Sequence, residues 1–403
     1  MGAADGKRLW AEWLFDGEHW LKGVGLQIGS DGRLLAMDDD APGPDADRHA
    51  CVIPGLVNAH VHLDLPRLTT RPPGGFVDWI RAVIRERVSL DAEETETLIL
   101  ENLRGLIDTG CACIADVDTT GLTQGAMSIL GVGGRSYREL IGFDLDEEAA
   151  EALLTSLSLD SGVGLSPHAP YSVSAELFEA ARRTGRPLMI HCSETSEELE
   201  FLQHGAGPFR DLLEFVGRWS GAFEAPGCSA VAWLDRLGCL GPDTLLVHVQ
   251  EMVPGDLEIL GRARSPVVIC PGSIHYFGRE APRVQEMWEA GLTLALGTDS
   301  LASNEELDLF GEMQRLHTLV PGLDPLHILR MATSMGGRAL GIPHAGRIEP
   351  GIRFDALAFR QTPEGSGPGA LSEWICAARP RPDARFLGGR DGCRGEHGTN
   401  PAL

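Results

Sequence analysis

The sequence predicts an α/β fold: a (β/α)8 TIM-like barrel with a small β-sandwich domain built from the N- and C-terminal segments. Three observations point there. Eight short apolar runs alternate with longer stretches of helical pattern across residues 54–344, and buried strands separated by helices form a parallel sheet, which eight strands can close. Polar, ligand-type side chains collect at the C-terminal ends of those runs, the end of a parallel barrel where ligands gather. Outside them, residues 8 to 53 read as short strands broken by turns, and GRIEPGIRFDALAF, after Ala345, reads as strands returning to the same unit. The expected division is therefore 1–53 with 345–403 as the small β-sandwich domain and 54–344 as the catalytic barrel.

In order, the chain opens on a Trp-rich stretch with Trp10, Trp13 and Trp20. It continues through GVGLQIG, a Ser30-Asp31-Gly32 turn and RLLAM. The acidic, Pro/Gly-rich DDDAPGPDADRH reads as a surface loop. The eight apolar runs are VIPGLVNAHVHL, CACIADVD, RSYRELIGF, GVGLSPHAPYS, PLMIHCSE, TLLVHVQ, PVVICPGS and LTLALGTDS. Between them, Ala92 to Asp108, Ala175 to Arg183 and Gln285 to Ala290 carry helical patterning. The tail from Gln361 is rich in Pro, Gly and Arg.

Composition narrows the function. The 403 residues carry 34 Lys+Arg against 58 Asp+Glu, a formal net charge of -24 and a pI near 4.9. A phosphate backbone would repel such a chain, and no basic stretch interleaved with aromatics offsets that, so no nucleic-acid partner is expected. With 43% hydrophobic residues the chain can build a large core. The start MGAADGKRLW lacks an apolar signal core and no stretch of about 18 apolar residues occurs, so a cytoplasmic location without membrane contact is expected. Nine cysteines include no Cys-x-x-Cys and sit mostly in apolar runs, as reduced, buried thiols do. Only two residues are lysine, Lys7 and Lys22.

His60-Val61-His62 ends the first run, and alternate strand residues face one side, so both imidazoles can reach a single metal. His191 ends the fifth run, His248 the sixth and Asp299 the eighth. A lone strand-end histidine is more often a packing residue, but imidazoles and a carboxylate converging on one axis describe a catalytic metal site with an open water position.

These residues resemble the amidohydrolase superfamily, within it the mononuclear deaminase and chlorohydrolase branch. The similarity runs from PGLVNAHVHLD through HCSE and VHV to LGTDSLASN and GRIEPG. The resemblance implies that His60, His62, His191 and Asp299 hold one divalent metal, zinc foremost with ferrous iron as the alternative, and that His248 lies beside the reacting water. Relatives with two metals bridge them by a carboxylated lysine on strand four. GVGLSPHAPYS has none and both lysines precede the barrel, so one metal is expected. Glu194, three residues after His191, matches the branch's proton shuttle; alone it would read equally well as a first-turn glutamate of the helix SEELEFL.

The resemblance implies hydrolytic deamination of an aminated heterocycle. A bound divalent metal supplies activated water near neutral pH, Asp299 accepts its proton, His248 orients it, and Glu194 protonates the ring nitrogen. SPHAPYSVS resembles deaminases of adenosine-like nucleosides, which makes His168 a substrate contact. GGFVDWIRAVIRER and GTDSLASN resemble aminofutalosine deaminases of menaquinone synthesis, which nominates Trp79, with Phe76, and Ser303. A carboxylate on the substrate would want an arginine; Arg81, Arg85, Arg135 and Arg138 are candidates, and Arg138 is expected among the substrate contacts. Two features depart from the relatives. Cys270-Pro271-Gly272-Ser273-Ile274 lacks their asparagine, and Gln250 and Glu251 stand where a second strand-six histidine often occurs. The alternatives are a chlorohydrolase or cyclic-amide hydrolase using the same site, or a noncatalytic metal-binding barrel. The expected partner is a small heterocyclic amine, and a homodimer fits the family.

Overall fold

The computed structural model describes residues 6–43, 46–219, 221, 223–387 and 390–393. The expectations for residues 1–5 and 394–403 lie outside the described residues. Four strands come first: β1 (Gly6–Phe15), β2 (Trp20–Gly29), β3 (Leu34–Asp38) and β4 (Asp47–Pro54). Eight follow in the barrel: β5 (Leu56–Val61), β6 (Cys111–Asp118), β7 (Gly133–Leu140), β8 (Gly164–Pro167), β9 (Leu188–Cys192), β10 (Thr244–His248), β11 (Val267–Ile269) and β12 (Leu294–Leu296). The last three are β13 (Ala356–Phe359), β14 (Ala384–Leu387) and β15 (Arg390–Cys393).

β15-β14-β13-β4-β1-β2-β3 form one mixed sheet. Its two ends share a core, Leu26, Ile28 and Leu34 packing with Phe354, Ala358 and Phe386, and the Leu34 N–H donates to the Ile352 carbonyl at 3.0 Å. The run VIPGLVNAHVHL proves to be two strands. β4 belongs to the small sheet and β5 to the barrel, because Pro54 has no N–H to continue a ladder and Gly55 passes so close to the barrel that a Cβ would lie 2.6 Å from that of Ala112. The loop reading of DDDAPGPDADRH is corrected at its end, where Asp47, Arg48 and His49 pair in parallel with Leu9, Trp10 and Ala11. The tail adds a helix, Pro368–Ala378, whose Leu371, Ile375 and Cys376 are buried.

The barrel strands run in chain order, every neighbouring pair parallel. Val57, Ala59, Val117, Met189, Val247, Val268 and Ala295 fill its interior, while alternate residues such as Ile114, Ile190, Leu246 and Ile269 join the larger core with the outer helices. Closure falls between β12 and β5: the Thr298 and Asp299 N–H groups donate to the His60 carbonyl at 3.0 and 3.1 Å, and Asn58 Nδ2 donates to Thr298 Oγ1 at 2.8 Å. Among the described residues no helix is long and apolar enough to cross a membrane, and the eight cysteines with described side chains are free.

Candidate metal centre and active site

Strand alternation and its local breaks aim the site residues. A register shift between Asn58 and Val61 resets the period of β5, so His60 and His62 face the axis while Val61 packs outward. His191 follows Met189 on the inner face of β9. By alternation His248 would point away after Val247, but its φ of 77° turns the chain end back inward, and Asp299 takes the same left-handed region at 55°. Non-glycine residues pay for that conformation, and such strain gathers at functional sites.

The result is a cluster of donor atoms. His62 Nε2 and His191 Nε2 are 3.2 Å apart; His60 Nε2 and His62 Nε2 lie 3.7 and 3.9 Å from Asp299 Oδ1. The donors of His60, His62 and Asp299 fall within 4.8 Å of one another, as do those of His60, His191 and His248. His60 Nε2 is buried and has no hydrogen-bond partner among the described residues, a cost that ligation removes. The carbonyl of His168 accepts from His191 Nδ1 at 3.0 Å, which turns the Nε2 lone pair of His191 to the cluster. Burial, then the neighbouring His60, pushes His62 well below the usual histidine range; burial, then His168, does the same to His191. Neutral imidazoles are the ligand form. Burial pushes Asp299 up, but the adjacent His60 imidazole, followed by His248 and His62, outweighs it and holds the carboxyl well below its ordinary range. Three imidazoles and a carboxylate suit one divalent ion.

Glu194 stands beside this cluster and does not cap the next helix. Thr195 caps Ser196–His204, its Oγ1 accepting from the Glu198 N–H at 3.1 Å. The Glu198 carboxylate in turn accepts from the Glu194 N–H at 2.8 Å. The Glu194 side chain is left for the cavity: Oε2 lies 3.6 Å from His248 Nε2 and Oε1 accepts from Arg279 Nη1 at 3.1 Å. A cavity of about 230 Å³ opens above, with His62, His168, His191, His248, Glu194 and Asp299 at its polar floor. Phe76, Trp79, Ile80, Ile84, Ile141, Leu212 and Val216 make an apolar wall.

A family profile described as the amidohydrolase family matches residues 51–381. The chain belongs to the amidohydrolase family. It is a hydrolase acting on carbon–nitrogen bonds. This amidohydrolase is similar to an aminodeoxyfutalosine deaminase of Deinococcus radiodurans, 31% identical over 316 residues covering 72% of this chain and 74% of the relative. It is also similar to a 5-methylthioadenosine/S-adenosylhomocysteine deaminase of Desulfitobacterium hafniense, 27% identical over 332 residues, 76% and 72% of the two chains. The crystal structure of Helicobacter pylori aminofutalosine deaminase superposes with a TM-score of 0.78 at 21% identity, covering 96% of this chain and 100% of that one. An adenosine deaminase of Xanthomonas campestris with bound zinc gives 0.75 at 21%, covering 95% and 92%.

The amidohydrolase fold distributes the expected substrate contacts unevenly. His168 lines the cavity, and burial pushes it down to about 4, so it is neutral. Ser172 Oγ, which donates to the Ala169 carbonyl at 3.1 Å, lies 2.7 Å from His168 Nδ1 and so accepts a hydrogen bond from an Nδ1–H, the tautomer that leaves Nε2 as an acceptor. Trp79 lines the wall, with its indole N–H tied to the Ala302 carbonyl at 2.8 Å. Arg138 does not line the cavity. β7 alternates, so Glu139 faces inward and Arg138 outward, toward Gly121. Ser303 is fully buried outside the cavity, 3.0 Å from Ser273 Oγ. Ser273 in turn donates to Asp299 Oδ2 at 2.6 Å, which places Ser303 behind the candidate ligand Asp299. Of the other arginines, Arg81 pairs with Asp78 at 2.9 Å, Arg135 reaches the Leu340 carbonyl at 3.4 Å, and Arg85 is exposed.

The cavity holds different arginines. Arg87 stands 3.6 Å from Glu139 and 3.9 Å from Asp64, and Arg218 sits at the rim, 3.2 Å from Asp144. Burial, opposed by Arg87, raises Glu139. Sequence reading missed Arg87, Glu139, Ser273 and Arg279. Inward alternation along RSYREL is the signal that finds Glu139; Arg279 meets a partner 85 residues away, and no spacing marks it. Gly272 in this segment has a steric reason: a Cβ there would lie 2.2 Å from Asn304 Nδ2, whose amide donates to the Thr298 carbonyl and to Glu312, both at 2.8 Å.

Proposed function

We propose that this amidohydrolase catalyses metal-dependent hydrolytic deamination of an aminated purine-nucleoside-like heterocycle, with 6-aminodeoxyfutalosine the foremost candidate. The observation that carries the reading is Glu194 with His248, a buried proton-handling pair set against the His60, His62, His191 and Asp299 cluster. The two deaminase relatives support it. A divalent metal held by those four residues, zinc before iron, supplies Lewis acidity and water activated at neutral pH. Glu194 passes a proton to the ring nitrogen beside the amine-bearing carbon and makes that carbon electrophilic. His248 and Asp299 hold the attacking water by hydrogen bonds. As water adds, its proton passes to Asp299 and on to the amine, the carbon–nitrogen bond breaks with loss of ammonia, and the added hydroxyl returns a proton to Glu194 as the carbonyl forms. His168 Nε2 accepts a hydrogen bond from the heterocycle, and the apolar wall excludes bulk water.

The test is ammonia release by zinc-loaded protein from aminodeoxyfutalosine, adenosine, methylthioadenosine and adenosylhomocysteine, with chloride and ring opening followed on triazines and cyclic amides. Ammonia from one or more of the nucleosides is expected. Chloride or ring-opened product without ammonia, or no product at all, would overturn the reading.

A further inference from the structure

We propose that Arg279 is a positioning residue for Glu194, and that an aromatic box fixing Arg279 makes the seating of one cavity-wall helix a condition for a correctly aimed proton carrier. The kinetic part of this rests on the deaminase reading above; the structural part does not.

Glu194 is buried, 4% exposed, and a buried carboxylate without a charged partner is costly. Among the described residues, Arg279 is the one cation that hydrogen-bonds it. Arg279 is not a flexible surface side chain. Its guanidinium lies 4.4 Å from the centroid of Phe277 and 5.0 Å from that of Phe76, contacts that hold a planar cation by both packing and charge. Phe76 stacks on Trp79 at 5.2 Å, and Phe277 meets the two rings edge-on at 5.3 and 5.2 Å. These three rings form the box.

Phe76 and Trp79 both sit in the first turn of the helix Phe76–Ser89 (α1), and the same face continues through Ile80, Ile84 and Arg87 as part of the cavity wall. Only Phe76, Val77 and Ala82 of its 14 residues are buried, so α1 is held chiefly by that first turn. Trp79 also binds the carbonyl of Ala302, three residues beyond Asp299. α1 therefore cannot lift from the cavity without unstacking Arg279 and releasing Glu194. The arrangement links three things: the wall that encloses substrate, the loop of the metal carboxylate, and the side chain that delivers the proton.

The experiment uses the zinc-loaded holoenzyme as wild type, Arg279→Met, Arg279→Lys and Phe76→Leu. In the Arg279→Met crystal structure the Glu194 carboxylate is expected to leave its place beside His248 while zinc content stays that of wild type. On the amine the wild type turns over best, Arg279→Met should lower kcat by about 10- to 100-fold with KM changed less than about threefold. Arg279→Lys, which keeps the charge, should recover part of that loss. Phe76→Leu, which opens the box and removes no charge, should lower kcat as well. A Glu194 carboxylate unmoved in Arg279→Met overturns the proposal, and so does a raised KM with kcat intact, which would make Arg279 a substrate contact. If Arg279→Met fails to fold, the Arg279→Lys and Phe76→Leu structures and kinetics decide. Wild type inert toward every amine would overturn the deaminase reading alone, and the position of Glu194 in the variant structures would still settle the role of Arg279.

Discussion

Glu194 and Ser273 show how much a single side chain can decide in this cavity. Glu194 touches His248 and Arg279 and is no helix cap, so its carboxylate faces the cavity, where the proposed proton carrier must stand. Glu194→Gln should lower kcat by about 10²- to 10⁴-fold, the usual weight of a positioned acid or base, with metal content by elemental analysis equal to wild type. Turnover near wild type would remove Glu194 from the chemistry. Ser273 donates to the oxygen of Asp299 turned away from His60 and His62. Such a partner sets the orientation and basicity of a ligand, and its loss typically costs about 10- to 100-fold in metal affinity. Ser273→Ala is expected to fall in that range by chelator competition; an unchanged affinity would show that the hydrogen bond does not bear on the metal.

At the scale of elements, the informative places are strand ends and the helices that follow them. The turn after β9 carries Ser193 at a φ of 50° and leads into a helix capped by Thr195. Glu198 supports that turn from below. It is buried, accepts the Glu194 N–H, and has its second oxygen unpartnered among the described residues. Burial, opposed by the backbone N–H of Glu194 and reinforced by the Glu194 charge, raises it from an ordinary 4.5 to about 8. A folded-state pKa above the unfolded one means the native state binds the extra proton. That contribution to stability is complete below the unfolded pKa of 4.5 and is lost as pH rises through about 8. Glu198→Gln keeps an acceptor for the Glu194 N–H and cannot ionise. Its Tm should therefore gain on wild type steadily as pH is raised across that window. A difference independent of pH would show that Glu198 is not held protonated.

For the whole molecule, the barrel seam and the metal cluster coincide. β12 closes on β5 through the His60 carbonyl, and His60 and Asp299 are both ligand candidates. An ion at this point ties the first barrel strand to the last. Binding only to the folded chain contributes about 2.7 kcal/mol at a hundredfold excess over Kd. Chelation should lower the Tm seen by calorimetry, and zinc should restore it; an identical Tm with and without chelator would mean these residues hold no ion tightly in the folded protein.

The sequence by itself determined the barrel, because eight apolar runs with period-two and helical patterns between them are local signals. It also determined the donors His60, His62, His191, His248 and Asp299 as candidates, because each ends a run. The small domain was legible only in part. Nothing local separates β4 from β5 except Pro54-Gly55, and the helix Pro368–Ala378 lay hidden in a tail rich in breakers. What the tertiary structure decided were pairings over long separations. It turned Arg138 out and Glu139 in, put Ser303 behind Ser273 rather than in the cavity, and brought Arg279 to Glu194 and Arg87 to Glu139. Side-chain type and spacing specify which strand end a donor occupies; which cation meets which buried carboxylate depends on how the helices pack around the closed barrel, and that is set by the whole chain.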